Sequence, residues 1–263
     1  MKDVVITGAY GGMGRALTLL LKEKGYRVFA LDKNIGEAED GIVPIVTDVT
    51  DPTSVENAFS VIKGYTDSIF AVIHFAGIYM LNSLVEMSDG DFDRIFEVNV
   101  RGAFLVNKSA MPYLKSGSRI IITTSELAPL DPLPFTGIYA VTKAALEKYA
   151  YSLCMELQLL GISVSVIRAG AVSTGMLGVS VDALDKFIER TKLYSCNAER
   201  FKKIVDSVEA RQIPPEKLAK KVTRVLGKKK PSFAYAINRN PLLLLLNLLP
   251  KRLQLGIIRF VLK

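Results

Sequence analysis

Short apolar runs that alternate with amphipathic stretches constrain the fold of this chain more than any other feature. Most of these runs are continuous, which is typical of parallel strands that are buried on both faces of a sheet. Alternation of such strands with helices favours right-handed crossovers and one doubly wound parallel sheet. The pattern predicts strands at Val4–Thr7, Arg27–Leu31, Val43–Val46, Ile69–Phe75, Arg119–Thr124, Ser163–Arg168 and Phe233–Ile237. It predicts helices at 13–24, 52–63, 89–115, 137–160, 182–209 and 215–226.

The length and the composition of the chain fit a single α/β domain over residues 1–263. The chain is long enough to bury a large core, and its 49% hydrophobic and 23% charged residues argue against disorder. Cys154 and Cys196 show neither metal-ligand spacing nor a disulfide framework, so we expect free thiols and no metal site. Because MKDVVITG runs directly into a strand pattern, we expect no signal peptide and a cytoplasmic location.

A glycine-rich turn follows the first predicted strand. Its sequence is TGAYGGMG, from Thr7 to Gly14, with Met13 before the last glycine. Gly8, Gly12 and Gly14 would let backbone amides approach a pyrophosphate, and the following helix would add its positive dipole end. A tight turn with nothing bound is the alternative. The strand before and the helix after favour a Rossmann-like dinucleotide site of about seven strands.

Two carboxylates follow the second and third predicted strands. Asp32 can accept hydrogen bonds from both ribose hydroxyls of adenosine and would repel a 2′-phosphate, so we predict a preference for NAD(H). Lys33 could accommodate a phosphate, which leaves NADP(H) open. Asp48, followed by Val49, could meet the adenine edge or could instead cap the turn before Pro52.

The fourth predicted strand ends in HFAG. Ala76 and Gly77 would let the backbone pass close to the cofactor, and we interpret His74 as a packed core residue. A Ser–His–Asp hydrolase would depend wholly on His74, the one histidine of the chain. Since no G-x-S-x-G motif accompanies it, the sequence argues against that class of enzyme.

Three side chains are predicted to meet at the carboxyl end of the sheet. Ser125 follows the fifth strand, and Tyr139 and Lys143 lie one helical turn apart in GIYAVTKAALEKYA. A tyrosine has a pKa near 10, so it is a poor base at neutral pH. A nearby ammonium together with a cationic nicotinamide would lower that pKa. Ser125 could then hold a substrate oxygen while Tyr139 exchanges its proton.

These motifs, in this order, resemble those of the short-chain dehydrogenase/reductase family, in its short subtype. The resemblance covers residues 3 to about 174. It rests on the glycine turn, on Asn99 in FEVNVRGAF, on Ser125, on YAVTK and on RAGAVST, which is similar to a segment beside the nicotinamide. Three positions depart from the family pattern: His74, Ala169 and a Ser–Tyr interval that is one residue longer. None of these departures removes a catalytic group.

The resemblance implies a role for each matching residue. Tyr139 would be the general acid/base, Ser125 would orient the substrate oxygen, and Asn99 would hold a water of the proton relay. Lys143 would bind the nicotinamide ribose and lower the tyrosine pKa. Thr7, Gly8, Gly12, Met13, Gly14, Asp32, Asp48, Val49, Ala76, Gly77, Tyr139, Lys143, Ala171 and Thr174 would bind the cofactor. The family also implies a homodimer or homotetramer built through the helices at 89–115 and 137–160.

Residues 175–213 are predicted to form a lid over the substrate, and residues 238–263 are predicted to form an apolar tail. By resemblance the first segment is a lid. Its apolar positions indicate either an apolar pocket or ordinary helix packing, and they are Leu177, Val179, Leu184, Phe187 and Ile188. The second segment is an apolar tail in a strongly basic region, because residues 211–263 hold 13 Lys/Arg and one acid. Leu242–Leu249 is too short to cross a bilayer. The tail is interpreted as a peripheral membrane helix, a dimer contact or a flap over the substrate.

Three functions remain open. The first is NAD(H)-dependent interconversion of a secondary alcohol and a ketone on a lipophilic small molecule, which a loose resemblance of the tail to retinoid and steroid enzymes favours. The second is a 3-oxoacyl carrier-protein reductase, which Asp32 argues against because such reductases usually use NADPH. The third is a non-catalytic dinucleotide sensor. A nucleic-acid role is not expected, because the basic tail has few interleaved aromatic residues.

Overall fold

The computed structural model describes residues 1–209 and 212–263, without the side chains of 175–182 and 206–209. Its strands form one parallel sheet in the order β3-β2-β1-β4-β5-β6-β7. The strands are β1 (Lys2–Thr7), β2 (Tyr26–Asp32), β3 (Ile42–Val46), β4 (Ile69–His74), β5 (Leu114–Ser125), β6 (Ser163–Ala169) and β7 (Ala234–Ile237). The predicted doubly wound α/β fold with seven strands is confirmed.

Helices cover both faces of the sheet, as the continuous apolar strands require. They are α1 (Gly12–Glu23), α2 (Pro52–Lys63), α3 (Asp89–Phe96), α4 (Gly102–Ala110), α5 (Gly137–Leu157), α6 (Gly175–Arg190), α7 (Ser195–Glu209), α8 (Pro215–Leu226), α9 (Pro241–Leu248) and α10 (Lys251–Leu262). On one face, α2, α4 and α5 bury residues such as Phe59, Val106 and Leu146. On the other face, Leu17 of α1 and Val222 of α8 lie in a second core cluster.

The long helix predicted at 89–115 is wrong in detail. The segment consists of α3, a π-helical turn at Glu97–Arg101, α4 and a short 3-10 turn at Met111–Tyr113, after which β5 begins at Leu114. Pro112 cannot donate the hydrogen bond that would continue α4, which explains the early end.

The helix predicted at 182–209 is also two helices, α6 and α7. Helix α6 ends at Arg190. Directly after it, the carboxylate of Glu86 accepts hydrogen bonds from the Thr191 hydroxyl at 2.7 Å and from the Lys192 amide at 2.8 Å. This distant carboxylate satisfies the backbone at the break, which the periodicity of the segment alone does not reveal. Leu184, Phe187 and Phe201 form a third core cluster under these helices together with Leu262 of α10.

The sheet topology gathers the ends of four strands at one edge. β1 lies between β2 and β4, so the strand order reverses beside β1, and Thr7 pairs with His74. β5 and β6 extend the same edge through the pairing of Ser125 with Ala169. Ligands of open α/β sheets bind outside the carboxyl ends of strands at such a switch point. None of the helices within the described ranges has the length and apolarity needed to traverse a bilayer.

Candidate active site

The glycine turn leaves no room for side chains where a dinucleotide would approach. Gly8 has a φ of +66°, and a Cβ there would lie 2.6 Å from the Ala76 amide nitrogen. A Cβ at Gly12 would lie 2.7 Å from the Thr174 Cβ, and one at Gly14 would lie 2.0 Å from the Gly8 carbonyl oxygen. The cap residue of α1 makes no side-chain hydrogen bond to the helix. The first turn of α1 therefore fits the pyrophosphate of a bound dinucleotide.

The other predicted cofactor residues frame this turn. The Ala76 amide donates to the Thr7 hydroxyl at 3.3 Å, and Met13 and Thr174 line the neighbouring cavity. The carbonyl of Ala171 accepts a hydrogen bond from the Asn238 side chain at 2.7 Å, which ties this segment to the residues before α9. Thr7, Met13, Thr174 and Ala171 thus lie near one another at the carboxyl edge.

Asp32 lies against the glycine turn, where its carboxylate accepts a hydrogen bond from the Tyr10 amide at 2.9 Å. Lys33 points elsewhere, because its ammonium pairs with Asp48 at 2.8 Å. Asp48 also accepts hydrogen bonds from the amide and the hydroxyl of Thr50. These contacts outweigh burial and lower the pKa of Asp48, so this carboxylate caps its turn. Val49 is buried beside it.

Asn99 occupies the π-helical turn between α3 and α4, and its amide joins two elements of the site. It accepts a hydrogen bond from the Ile78 amide at 2.8 Å and donates to the Ile78 carbonyl at 2.9 Å. Its second N–H donates to the Thr142 hydroxyl at 3.1 Å. Ile78 and Thr142 are therefore site residues that the sequence analysis missed, because backbone and tertiary partners leave no local pattern.

Ser125, Tyr139 and Lys143 meet at the carboxyl edge. The Ser125 hydroxyl lies near enough to the Tyr139 phenol to act on its pKa, and the Lys143 ammonium lies 5.6 Å from the Tyr139 ring centroid. Lys143 is 7% exposed and donates to the Thr123 carbonyl at 3.3 Å. The ring of Tyr79, which the sequence analysis also missed, packs edge-on against Tyr139 with 4.7 Å between centroids.

Without a cofactor, the pKa of Tyr139 is raised, so the lowering expected with a bound cationic nicotinamide stays a prediction. Burial raises the pKa of Tyr139 to about 12, and only the Ser125 hydroxyl acts in the opposite direction. Burial also lowers the pKa of Lys143 to about 8. Both shifts follow from desolvation, which disfavours the phenolate and the ammonium alike. The phenol is therefore held firmly in its protonated form.

A cavity of about 220 Å³ opens beside these groups. Its walls are mainly apolar, and Ser125, Tyr139, Lys143 and Glu126 supply polar atoms at one side. The apolar walls come from several elements: Phe75, Ile78, Leu127, Leu133, Val172, Phe201, Ile204, Val205 and Leu243. A ligand with one oxygen at Ser125 and Tyr139 would therefore place its remaining surface against hydrocarbon.

The predicted apolar positions of the lid whose side chains the structure describes do not line this cavity. Leu184 and Phe187 are buried in the core cluster, and Ile188 packs against that cluster. Helix α7 instead supplies Phe201, Ile204 and Val205. The side chains of Leu177 and Val179 lie outside the described residues.

Glu126 connects the cavity to the tail, and sequence analysis missed it although it follows Ser125 directly. Its carboxylate accepts a hydrogen bond from the Asn240 amide at 2.6 Å, just before α9. Burial raises the pKa of Glu126 despite that bond and the nearby Arg239. Leu243 of α9 also lines the cavity. The tail thus lies against the substrate cavity, as one of the predicted alternatives required.

His74 takes no part in the site. It is 4% exposed, its Nε2 lies 2.8 Å from the Asn107 side-chain oxygen, and burial lowers its pKa to about 4. The interpretation of His74 as a neutral, packed core residue is confirmed. Below the catalytic edge, Glu147 of α5 binds Arg168 of β6 and accepts from the Thr124 hydroxyl of β5. This ion pair ties α5 to the two strands that carry the site.

Comparisons with known proteins agree with this geometry. The family model for short chain dehydrogenases matches residues 2–184. The chain is similar to versicolorin reductase of Emericella nidulans, with 28% identity over 76% of each chain. It is also similar to 3-ketodihydrosphingosine reductase of Bacteroides thetaiotaomicron, with 25% identity over 88% of this chain and 85% of the relative.

A solved structure shows the same fold. The 3-ketoacyl-(acyl-carrier-protein) reductase of Brucella melitensis, complexed with NADH, superposes with a TM-score of 0.73 at 20% identity, covering 90% of this chain and 96% of that one. The match to the family model covers well over half of the chain and includes every strand from β1 to β6. The chain therefore belongs to the short-chain dehydrogenase family of NAD(P)-dependent oxidoreductases that act on CH–OH groups.

Proposed function

We propose that this enzyme uses NAD(H) to interconvert a secondary alcohol and a ketone on a lipophilic small molecule. The observation that carries the proposal is the meeting of Ser125 and Tyr139 in the lining of a mainly apolar cavity. The cavity adjoins the glycine turn, since Met13 and Thr174 also line it. One oxygen of the ligand would be hydrogen-bonded, and the rest of the ligand would be desolvated.

The chain's own residues account for the proton. In the direction of ketone reduction, Ser125 holds the carbonyl oxygen and Tyr139 donates its phenolic proton to that oxygen as the alcohol forms. A phenol whose pKa is about 12 without cofactor is protonated at neutral pH and so carries the proton that this step requires. The cofactor, held by the glycine turn and Asp32, supplies the hydride when it is bound.

Lys143 and Asn99 support this transfer. Lys143 lies beneath the Tyr139 ring, and a Cβ on Gly77 would be 3.5 Å from its Nζ, so the ammonium faces the strand end where we expect the nicotinamide ribose. Both N–H groups of the Asn99 amide are already used within the protein. A water of the proton relay would therefore be held by the free lone pair of its side-chain oxygen or by its backbone.

Relatives and fold neighbours name two substrate classes. The relative named as a 3-ketodihydrosphingosine reductase acts, by its name, on a long-chain ketone, which agrees with the apolar cavity of this chain. The alternative is a 3-oxoacyl group on a carrier protein, as the name of the Brucella structure indicates for that protein. Since that structure holds NADH, the expected preference for NAD(H) does not separate the two classes, and the mainly apolar cavity is what favours the lipophilic ketone. A dinucleotide sensor without turnover would not need the buried Tyr139 and Lys143.

Replacing Tyr139 with Phe should remove the proton donor. With NADH and ketones of increasing apolar chain length, we expect kcat/KM of the parent enzyme to rise with chain length. Tyr139→Phe should lower kcat by about 10²–10⁴-fold. The matched control is Tyr151→Phe, which makes the same change at an exposed position of α5 and should leave turnover unchanged.

The rate of NADH oxidation is the measurement for these variants. Undiminished turnover in Tyr139→Phe would contradict the role of the phenol. Turnover only on carrier-bound 3-oxoacyl groups would favour the alternative substrate, and no turnover on either class would favour a sensor.

The cofactor preference should depend on Asp32. We expect NADH to be used with a higher kcat/KM than NADPH, because the carboxylate repels a 2′-phosphate. Asp32→Asn keeps an acceptor for the Tyr10 amide and removes the charge, so it should reduce the preference by about tenfold, which corresponds to about 1.4 kcal/mol. Steady-state titration with both cofactors measures this, with Asp67→Asn as the matched control at an exposed position before β4. A parent enzyme that prefers NADPH would refute the assignment.

Burial of the Lys143 ammonium should lower the free energy of unfolding at neutral pH. Its pKa falls from an ordinary value of 10.5 to about 8, so the charged form is disfavoured in the fold. This penalty is fully present below pH 8, shrinks between about pH 8 and 10.5, and amounts to roughly 3 kcal/mol at most. Lys143→Met should therefore raise the free energy of unfolding at neutral pH while abolishing turnover.

Urea unfolding at several pH values measures this effect. The advantage of Lys143→Met over the parent should diminish as the pH rises above about 8. Lys148→Met, at an exposed position of the same helix, should change stability little. Equal destabilisation by both substitutions at all pH values would show that burial of the Lys143 charge is not the cause.

We further propose a cytoplasmic homodimer or homotetramer assembled through α4 and α5. Exposed apolar side chains support this assembly, namely Phe104 on α4 and Val141, Tyr151 and Met155 on α5. Val141, Tyr151 and Met155 are spaced so that they share one face of α5. Light scattering should give two or four times the mass of one chain, and Phe104→Asp should lower it. A monomeric parent protein would overturn the proposal.

A further inference from the structure

Helix α10 exposes several of its apolar side chains. The residues that face the molecule are Gln254, Ile258 and Leu262, spaced at four-residue intervals, and Gln254 is only 5% exposed. In contrast, Phe260 is 89% exposed and Leu253 is 56% exposed. Helix α10 therefore packs Ile258 and Leu262 against the core and also exposes a second set of apolar side chains, which an ordinary amphipathic surface helix does not do.

The outward side of α10 carries two adjoining stripes. Leu253, Ile257 and Phe260 follow one another at helical spacing and form an exposed apolar stripe. Arg252, Arg259 and Lys263 are each exposed and lie on the neighbouring stripe at seven- and four-residue intervals. We name these six residues the tail surface. A helix with apolar and basic stripes side by side is typical of peptides that lie in the interface of a membrane.

Helix α9, which precedes α10 in the chain, also exposes apolar side chains. Leu242, Leu245 and Leu248 are 65%, 60% and 81% exposed and recur every three residues, whereas Leu243 points inward to the substrate cavity. Arg239 precedes this helix. Exposed apolar residues of α9 and α10 together exceed the scattered single residues of an ordinary surface.

We propose that the tail surface binds to an anionic lipid bilayer. Apolar burial and attraction to acidic headgroups would act together, because the basic side chains border the apolar stripe. Residues 211–263 hold 13 Lys/Arg against one acid, so the whole region is attracted to negative charge. The helix would lie on the bilayer, as its 12 residues are too few to span it.

Charge also disfavours a second copy of the chain as the occupant. In a twofold contact, each tail surface would meet the same surface on the partner copy. Arg252, Arg259 and Lys263 would then face like charges across the contact, which costs free energy. No acidic residue lies on α10 to offset them. An anionic bilayer supplies the missing negative charge.

This orientation has a consequence that rests on the proposed function. Leu243 of α9 lines the substrate cavity, and Glu126 in the cavity wall holds the Asn240 amide. Binding through the tail would therefore place the cavity close to the lipid phase, where a lipophilic ketone is concentrated. Docking itself needs no substrate, so it can be measured separately.

Vesicle cosedimentation tests the proposal with the full chain. Vesicles of phosphatidylcholine alone and of phosphatidylcholine with phosphatidylglycerol are the probes. We expect binding to the anionic vesicles, weakened by salt. The combined variants Leu253→Ser, Ile257→Ser and Phe260→Ser, and separately Arg252→Gln, Arg259→Gln and Lys263→Gln, should each lower the binding at least about tenfold.

The matched control changes exposed leucines at the opposite edge of the sheet, Leu159→Ser and Leu160→Ser, which should leave binding intact. Turnover on a short, soluble ketone should persist in every variant and shows that each is folded. Absent binding to anionic vesicles, or binding that the tail variants do not change, would overturn the proposal. A second copy of the chain would be the occupant under two conditions. The parent protein would not bind vesicles, and the tail variants would have a lower mass than the parent in light scattering. Vesicle binding without turnover on any ketone would leave docking supported and refute only the proposed function.

Discussion

The parallel pairing of β1 with β4 is the constraint on which the rest of this molecule depends. It brings Gly8 so close to the Ala76 amide that no Cβ fits between them. Because β5 and β6 continue the sheet in the same direction, Ser125 and the segment that leads to Thr174 reach the same edge. The cofactor turn and the proton-transfer groups are therefore neighbours by topology, although more than a hundred residues separate them.

Desolvation shifts the pKa values of two groups in the site. In the protein without cofactor, neither shift favours the phenolate form of Tyr139. The same burial that keeps the Tyr139 phenol protonated also lowers the pKa of the Lys143 ammonium beside it. A charged group taken from water without an ionic partner lowers the stability of the fold. The site therefore stores an unfavourable arrangement that the sheet and the Glu147–Arg168 ion pair must hold in place.

Local patterns predicted what depends on local geometry, and failed where distant partners decide. The glycine turn and the strand runs carry their own steric and periodic signals, and Tyr139 and Lys143 share a face through helical spacing. The break at Thr191 depends instead on Glu86, more than a hundred residues away. The bond from Asn240 to Glu126, and the pKa of Tyr139, likewise depend on tertiary burial that no window of sequence contains.

The tail shows how one segment can serve two environments. Its inward residues, Leu243 and Leu262, complete the substrate cavity and the core cluster beneath the lid, so the segment is part of the fold. Its outward residues gain nothing from that packing, since Phe260 is almost fully exposed. Apolar area left in water costs about 25 cal/mol per Å² relative to burial. The proposed contact with an anionic bilayer would remove this apolar area from water and would place acidic headgroups beside the arginines.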